Sequence, residues 1–388
     1  MGKIKYLEGL RGVAALIVVF GHLRNICFWG HQTYLISCIN NLSIPGFLRT
    51  FLVNIINICT DGSLAVWIFW VLSSYVISIL FFKEGANYDQ VLVNYFSKRY
   101  FRLLIPVLAS VMFAYILLKF GLMYNLELAA VLPTYASDGW IATFYNFSPD
   151  FLKALKSAFF DSFFAYDKNT TYNTVLWTIQ NEFLGSLFTF SIFGIIRHNK
   201  RRYILYFIIM AVALKLYLGW LVAFVIGHVL CDFDFSKSDD KILTYLRNLE
   251  AKIHRRKILV LIATILFIVF NVNLMSALHI HPVYGQLILS AFIVYICCKS
   301  PYLKSFFSLK IPVWLGKISF GLYLIHLPII CSLTSYLILQ SNSLVSKIGA
   351  CVLTLVVSLV LSYFFTTFID RNGVTFANRI GNYFKRYT

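Results

Sequence analysis

Residues 6–25 read YLEGLRGVAALIVVFGHLRN. The stretch is apolar enough, and with Ile26 long enough, to cross the ~30 Å hydrocarbon layer of a bilayer as one helix. It nevertheless contains Glu8, Arg11 and His22. Ionisable groups in that position cost several kcal/mol each and tend to mark function. Glu8 and Arg11 stand at i and i+3, close enough on one face to pair. Arg11 and His22 are three full turns apart, so they project from the same side, ~16 Å apart along the axis. Ala15 and Val18 or Val19 lie between them and leave a groove that an elongated ligand could span. Each residue also has a plainer reading: Arg11 anchors one end of the span, and His22 bonds a neighbouring helix. With Glu8 and Arg11 inside it and no small-residue cleavage site, the stretch reads as a span and not as a cleavable signal.

The rest of the chain follows this pattern. Of 388 residues, 59% are hydrophobic, 18% aromatic and only 13% charged. Soluble domains carry about 25% charged residues, so this composition cannot build a water-facing surface, and it is far too apolar for disorder. The net charge of +18 comes from 34 Lys and Arg against 16 Asp and Glu. In a soluble chain that excess would suggest nucleic acid. Here the basic residues fall in short clusters between apolar runs, so the excess reads as topology and no nucleic-acid partner is expected.

The runs are Leu7–Ile26, Leu64–Phe82, Leu103–Tyr124, Thr174–Ile196, Tyr203–Cys231, Ile258–Leu274, Tyr284–Cys298, Ile318–Leu339 and Ile348–Ile369. Tyr203–Cys231 is too long for one upright helix and carries Lys215 and Gly219 near its middle. Reading it as two short helices puts Arg197–Arg202 and Lys237–Lys257 on one side. The expected architecture is therefore all-α, a polytopic membrane protein of about ten transmembrane helices forming a single domain over 1–388. By the positive-inside rule, both the N-terminus and the C-terminus are cytoplasmic. In the longest outer segment, Asn125–Tyr172, the amphipathic Asp150–Phe164 is expected to lie flat at the interface. Eight cysteines show no CxxC pair and no metal-ligand spacing, so no metal is expected.

Three further segments carry polar groups into apolar runs. NTVLWTIQNEFLGS places Glu182 about two turns inside a helix, beside Gln180 and Asn181. A carboxylate there is paired with Arg or His, or serves as a general base or its orienting partner. GKISFGLYLIHLPII sets Ser319, Tyr323 and His326 at i, i+4 and i+7, a polar stripe that either glues helices together or lines a cavity. Pro328 is expected to kink the following turn. NYFSKRYFRLLIPVL puts Lys98, Arg99 and Arg102 at the mouth of a span, as topological anchors or as holders of phosphate.

Together these fragments resemble the membrane acyltransferase-3 family. LEGLRGVAALIVVFGH resembles its opening motif, with an Arg followed some ten residues later by His. AVWIFWVLSSYVIS resembles its second-helix motif, and KRYFRLLIPV its Arg-x-x-Arg segment leading to Pro. VLWTIQNEF and LGKISFGLYLIHLPI resemble its Trp-Thr/Ser-x-x-x-Glu and Ser-x-x-x-Tyr-x-x-His segments. Five matches in order, from residue 7 to about 330, cover most of the chain. Two departures stand out: Trp67 where many members carry an acidic residue, and Ser74-Tyr75 in place of Gly-Phe. No role for a carboxylate at position 67 is carried over.

The resemblance implies a bacterial inner-membrane enzyme that moves an acyl group, most often acetyl, from cytoplasmic acyl-CoA to a sugar hydroxyl of an extracytoplasmic polysaccharide or lipid-linked glycan, such as O-antigen, capsule or exopolysaccharide. Arg99, Arg102 and Lys98 would hold the phosphates of acetyl-CoA, with its arm passing Arg11. His22 would act as general base or carry the acyl group covalently. Glu182 would orient the imidazole or bind the acceptor. Trp177 would stack on the sugar with Ser319 nearby, and Tyr323 or His326 would donate to the oxyanion. Glu8 would hold Arg11. His31 matches no motif and should be dispensable. The competing reading is a transporter or flippase of a glycan or lipid-linked intermediate, favoured by inverted repeats; none is apparent.

Overall fold

A computed structural model describes residues 4–28, 36, 39–82, 88–132, 140–196, 199, 201–235, 267 and 281–385. Among them every regular element is helical. In chain order these are α1 (Lys5–Cys27), α2 (Gly46–Cys59), α3 (Gly62–Ile79), α4 (Tyr88–Lys119), α5 (Asn125–Val131), α6 (Phe151–Lys156), α7 (Trp177–Ile196), α8 (Arg202–Lys215), α9 (Gly219–Phe235), α10 (Pro282–Lys299), α11 (Pro301–Phe307), α12 (Lys310–Ile329), α13 (Leu344–Phe365) and α14 (Arg371–Lys385). Local chemistry sets several starts. Asp61 accepts the Leu64 N–H ahead of α3, and Ser343 accepts that of Ser346 ahead of α13. Pro282 and Pro301 open α10 and α11, where a missing N–H costs nothing. After Pro328, α12 widens into a π turn at Ile330–Thr334 before resuming over Ser335–Gln340, the expected disturbance.

Among the described residues, six helices are long and apolar enough to cross a membrane: Lys5–Cys27, Gly62–Ile79, Asp89–Lys119, Pro282–Lys299, Lys310–Gln340 and Leu344–Lys385. Helices α7, α8 and α9 lie outside that six. The expected span Ile258–Leu274 falls almost wholly outside the described residues, as do His31 and Lys237–Lys257. The run Tyr203–Cys231 is two helices. They join at Leu216–Leu218, where Tyr217 takes the left-handed φ of 57°. Arg202, at the start of α8, donates from Nε and Nη2 to Asp232, near the end of α9, at 2.6 and 2.9 Å, so the hairpin returns to the level it left.

Helix α13 shows what surrounds the bundle. Val345, Ile348, Val352, Val356 and Val360 are exposed, whereas Lys347, Thr354, Ser358 and Ser362 are buried. A water-soluble helix has the reverse arrangement; an apolar outer face over a polar inner one suits lipid. At the centre, α1 crosses α12 at backbone distance. A Cβ at Gly12 would strike the backbone nitrogen of Gly316, and one at Gly316 would strike the Glu8 carbonyl. This crossing sets which α1 residues meet which α12 residues.

Asp150–Phe164 does not lie flat. The Phe151 ring is 5.9 Å from that of Tyr115, while Tyr100 Oη donates to the Phe159 carbonyl at 2.7 Å and its ring lies 4.9 Å from Phe163. Tyr100 and Tyr115 are ~22 Å apart along α4, so the segment runs down beside α4. It returns so that Tyr172 Oη bonds Asp150. Ala154, Ala158 and Phe163 pack inward, Leu152 and Phe160 face out, and Lys156 pairs with Asp161 at 3.1 Å, reducing the charge carried in.

Candidate active site

The α1–α12 crossing brings His22 to His326. Nitrogen Nδ1 of His22 lies 2.8 Å from Nε2 of His326, with the ring planes 10° apart. Nδ1 of His326 is in turn 3.0 Å from the Leu322 carbonyl. A carbonyl only accepts, so His326 carries its proton on Nδ1 and its Nε2 accepts. His22 therefore donates from Nδ1, and in the neutral pair its Nε2 keeps a lone pair. Tautomers follow here from the bonding network. Trp140 stacks against His22, with centroids 5.4 Å and ring planes 26° apart.

His22 lines a cavity of about 1230 Å³. Trp140, Phe144, Tyr166, Trp177 and Tyr323 form its aromatic part. Tyr166 Oη donates to the Thr174 carbonyl at 2.9 Å; burial, and after it the charge of Asp167, raises this phenol, which stays neutral. Trp177 stands edge-on to Trp70, with centroids 5.7 Å apart. The start of α7 is fixed by Asn173, fully buried, whose amide donates to the Leu324 carbonyl of α12 at 2.7 Å.

A second cavity, of about 250 Å³, is lined by Arg11, Arg99, Arg102, Glu182, Ser319 and Ser73 among others. Tyr323 and Val66 line both cavities, so the two abut there. Within the smaller one, Arg99 is bonded from Nη2 to Glu182 and from Nε to Ser186 at 2.7 Å, and Ser73 also donates to Glu182. Arg102 pairs with Asp370 at 2.6 Å. Arg11 forms no hydrogen bond or ion pair among the described residues and is exposed to this cavity. The result is one free guanidinium between two neutralised ones, a place for a polar or anionic group.

The structure thus divides the sequence-derived residues into two sets. His22, His326 and Trp177 gather at the larger cavity; Arg11, Arg99, Arg102, Glu182 and Ser319 at the smaller; Tyr323 borders both. Glu182 touches Arg99 and Ser73, not the imidazole of His22. Lys98 stands apart from both cavities, its Nζ 3.8 Å over the Tyr95 ring. Ser319 Oγ donates to the Gly316 carbonyl at 2.8 Å, and Tyr323 Oη bonds Thr178 at 2.7 Å. The Glu8 backbone packs on Gly316. Sequence reasoning missed Trp140, Asp61, Arg24, Gln286 and Asp370. Asp370 ends an apolar run and Arg24 stands two residues past His22, both weak signals; Trp140 and Gln286 gave none.

The family model for an acyltransferase domain, that of the acyltransferase-3 family, matches residues 4–365. The chain belongs to that family. No curated protein and no solved structure matches it.

Proposed function

We propose that this member of the acyltransferase-3 family transfers an acyl group, acetyl in our reading, from a coenzyme A thioester on the cytoplasmic side of a bacterial inner membrane to a sugar hydroxyl on the other side. The observation that carries the reading is the tautomer chain Leu322–His326–His22, which leaves a lone pair on Nε2 of His22, in the wall of a cavity abutting the one that holds the unpaired Arg11. A base in one compartment and a free cation in the next suit an acceptor and a donor arriving from opposite sides.

The smaller cavity fits the acylated end of the donor arm and not the nucleotide, which would remain outside it. When bound, the thioester supplies an activated carbonyl and a thiolate leaving group. Arg11 receives the polar end of the arm, while Arg99 and Arg102, held by Glu182 and Asp370, line the wall without being free to close on it. His22 Nε2 takes the proton of the attacking hydroxyl; the new ester C–O bond forms as the C–S bond breaks, and the proton passes on to the departing sulfur. His326 is a positioning residue: it fixes the ring and its tautomer. In this reading His22 acts as general base; the same tautomer also leaves Nε2 able to attack the thioester, and a test for an acetyl adduct separates the two. Trp177 and Trp140 supply flat apolar faces for the sugar ring.

The test is transfer across sealed proteoliposomes. Labelled acetyl-CoA is placed on one side and polysaccharide from the native host on the other; label should enter the polysaccharide as an alkali-labile ester. Label that stays wholly with CoA would overturn the reading.

A further inference from the structure

The larger cavity exceeds what a single sugar unit needs, since sites for drug-sized ligands occupy about 300–1,000 Å³. Beyond its aromatic part it has a polar end formed by Arg24, Asn57, Thr60, Asp61, Ser63 and Gln286. The bonding there is unequal. Asp61 has both oxygens occupied, Oδ1 by the Leu64 N–H and Oδ2 by Gln286 Nε2, each at 2.9 Å. Gln286 is bonded at both ends of its amide, its Oε1 accepting from Ser63 at 3.0 Å. Arg24 is less engaged. Among the described residues it makes one bond, from Nη1 to Thr60 Oγ1, and its Nε is buried without a partner. It is also the one Lys or Arg among the described residues lining this cavity. A guanidinium has five donor hydrogens in a rigid fork, so most of its capacity here is unused while the neighbouring carboxylate is tied back.

We infer that Arg24 forms an anion subsite of the acceptor cavity, and that the acceptor glycan carries a carboxylate or phosphate beside the unit that receives the acyl group. Planar bidentate bonding to such a group would use the Nη hydrogens that Thr60 leaves free. Thr60 holds the fork and Asp61–Gln286 holds Thr60's turn against α10, so the subsite is assembled before the ligand arrives. The inference rests on the reading that this cavity takes the acceptor, but its test needs no acyl transfer.

Trp140 and Trp177 line the cavity, so quenching of tryptophan fluorescence in the purified full chain reads occupancy. Three probes are titrated: a hexuronate tetrasaccharide, a glycerol-phosphate oligomer and a neutral tetrasaccharide of matching size. At least one anionic probe should bind ten times more tightly than the neutral one, and which of them does so assigns carboxylate or phosphate. Arg24→Gln should remove that preference and leave neutral binding unchanged. Equal binding of all three probes by the wild-type chain overturns the subsite whether or not the variant folds, and so does a preference that survives Arg24→Gln. Failure of transfer in proteoliposomes, with anion preference intact, would instead count against the acyltransferase mechanism.

Discussion

His22→Ala should lower acyl transfer on the order of a thousandfold, the scale of a lost general base, while the protein still inserts and purifies as a helical bundle. The substitution removes the ring that meets His326 and Trp140 but no backbone contact of the α1–α12 crossing, which rests on Gly12 and Gly316. Replacing His326 with Phe should act differently. The His22 Nδ1–H then loses its acceptor, the ring is free to turn or to switch tautomer, and kcat should fall by less than in His22→Ala with both KM values near wild type. Quenching wild-type enzyme with donor and no acceptor should yield no acetyl adduct on His22 by mass spectrometry. Wild-type turnover by His22→Ala would end the mechanism; an adduct on His22 would replace the base with a carrier.

The second large effect concerns stability. Arg99 and Glu182 are about 15% and 17% exposed, so removing the guanidinium leaves a carboxylate bonded only by Ser73 in a largely buried site, with Arg11 across the cavity as its remaining cation. Breaking such a pair from one side costs about 3–5 kcal/mol. Arg99→Ala should therefore give little folded protein in detergent, with a sharply lowered thermal transition. The double variant Arg99→Met with Glu182→Gln should recover much of the loss, because neither charge remains unmatched. Equal transitions for Arg99→Ala and wild type would show that water reaches Glu182 freely and that the pair is not structural.

Much of this arrangement was legible in the sequence where a period carried it. The three turns between Arg11 and His22 place them on one side of α1, and each indeed borders a cavity. The Ser319, Tyr323, His326 stripe was legible for the same reason. What no period carries is partnership between distant segments. His22 meets His326 because two glycine-lined backbones cross at one register, and Arg102 meets Asp370 across most of the chain. Lys98 and Arg99 are adjacent in a basic cluster, yet one residue's rotation sends Lys98 to the Tyr95 ring and Arg99 to Glu182. The descent of Asp150–Phe164 along α4 was hidden by its charges: an amphipathic pattern suggests a surface, but Lys156 and Asp161 pair with each other. The split of Tyr203–Cys231, by contrast, followed from charge parity, and the Arg202–Asp232 bond bears it out.

The abutment of the two cavities at Val66 and Tyr323 has an electrical meaning. Where aqueous space reaches inward from both sides, a transmembrane voltage falls across the thin partition and not across the full hydrocarbon depth. A unit charge moved through the whole drop changes energy by about 2.3 kcal/mol per 100 mV. Under the proposed mechanism a thiolate released beside Tyr323 would form within that field, and the sign and size of the membrane potential would then act on the bond-breaking step. Turnover in vesicles under an imposed potential reads this directly, and a rate indifferent to voltage would place the drop elsewhere.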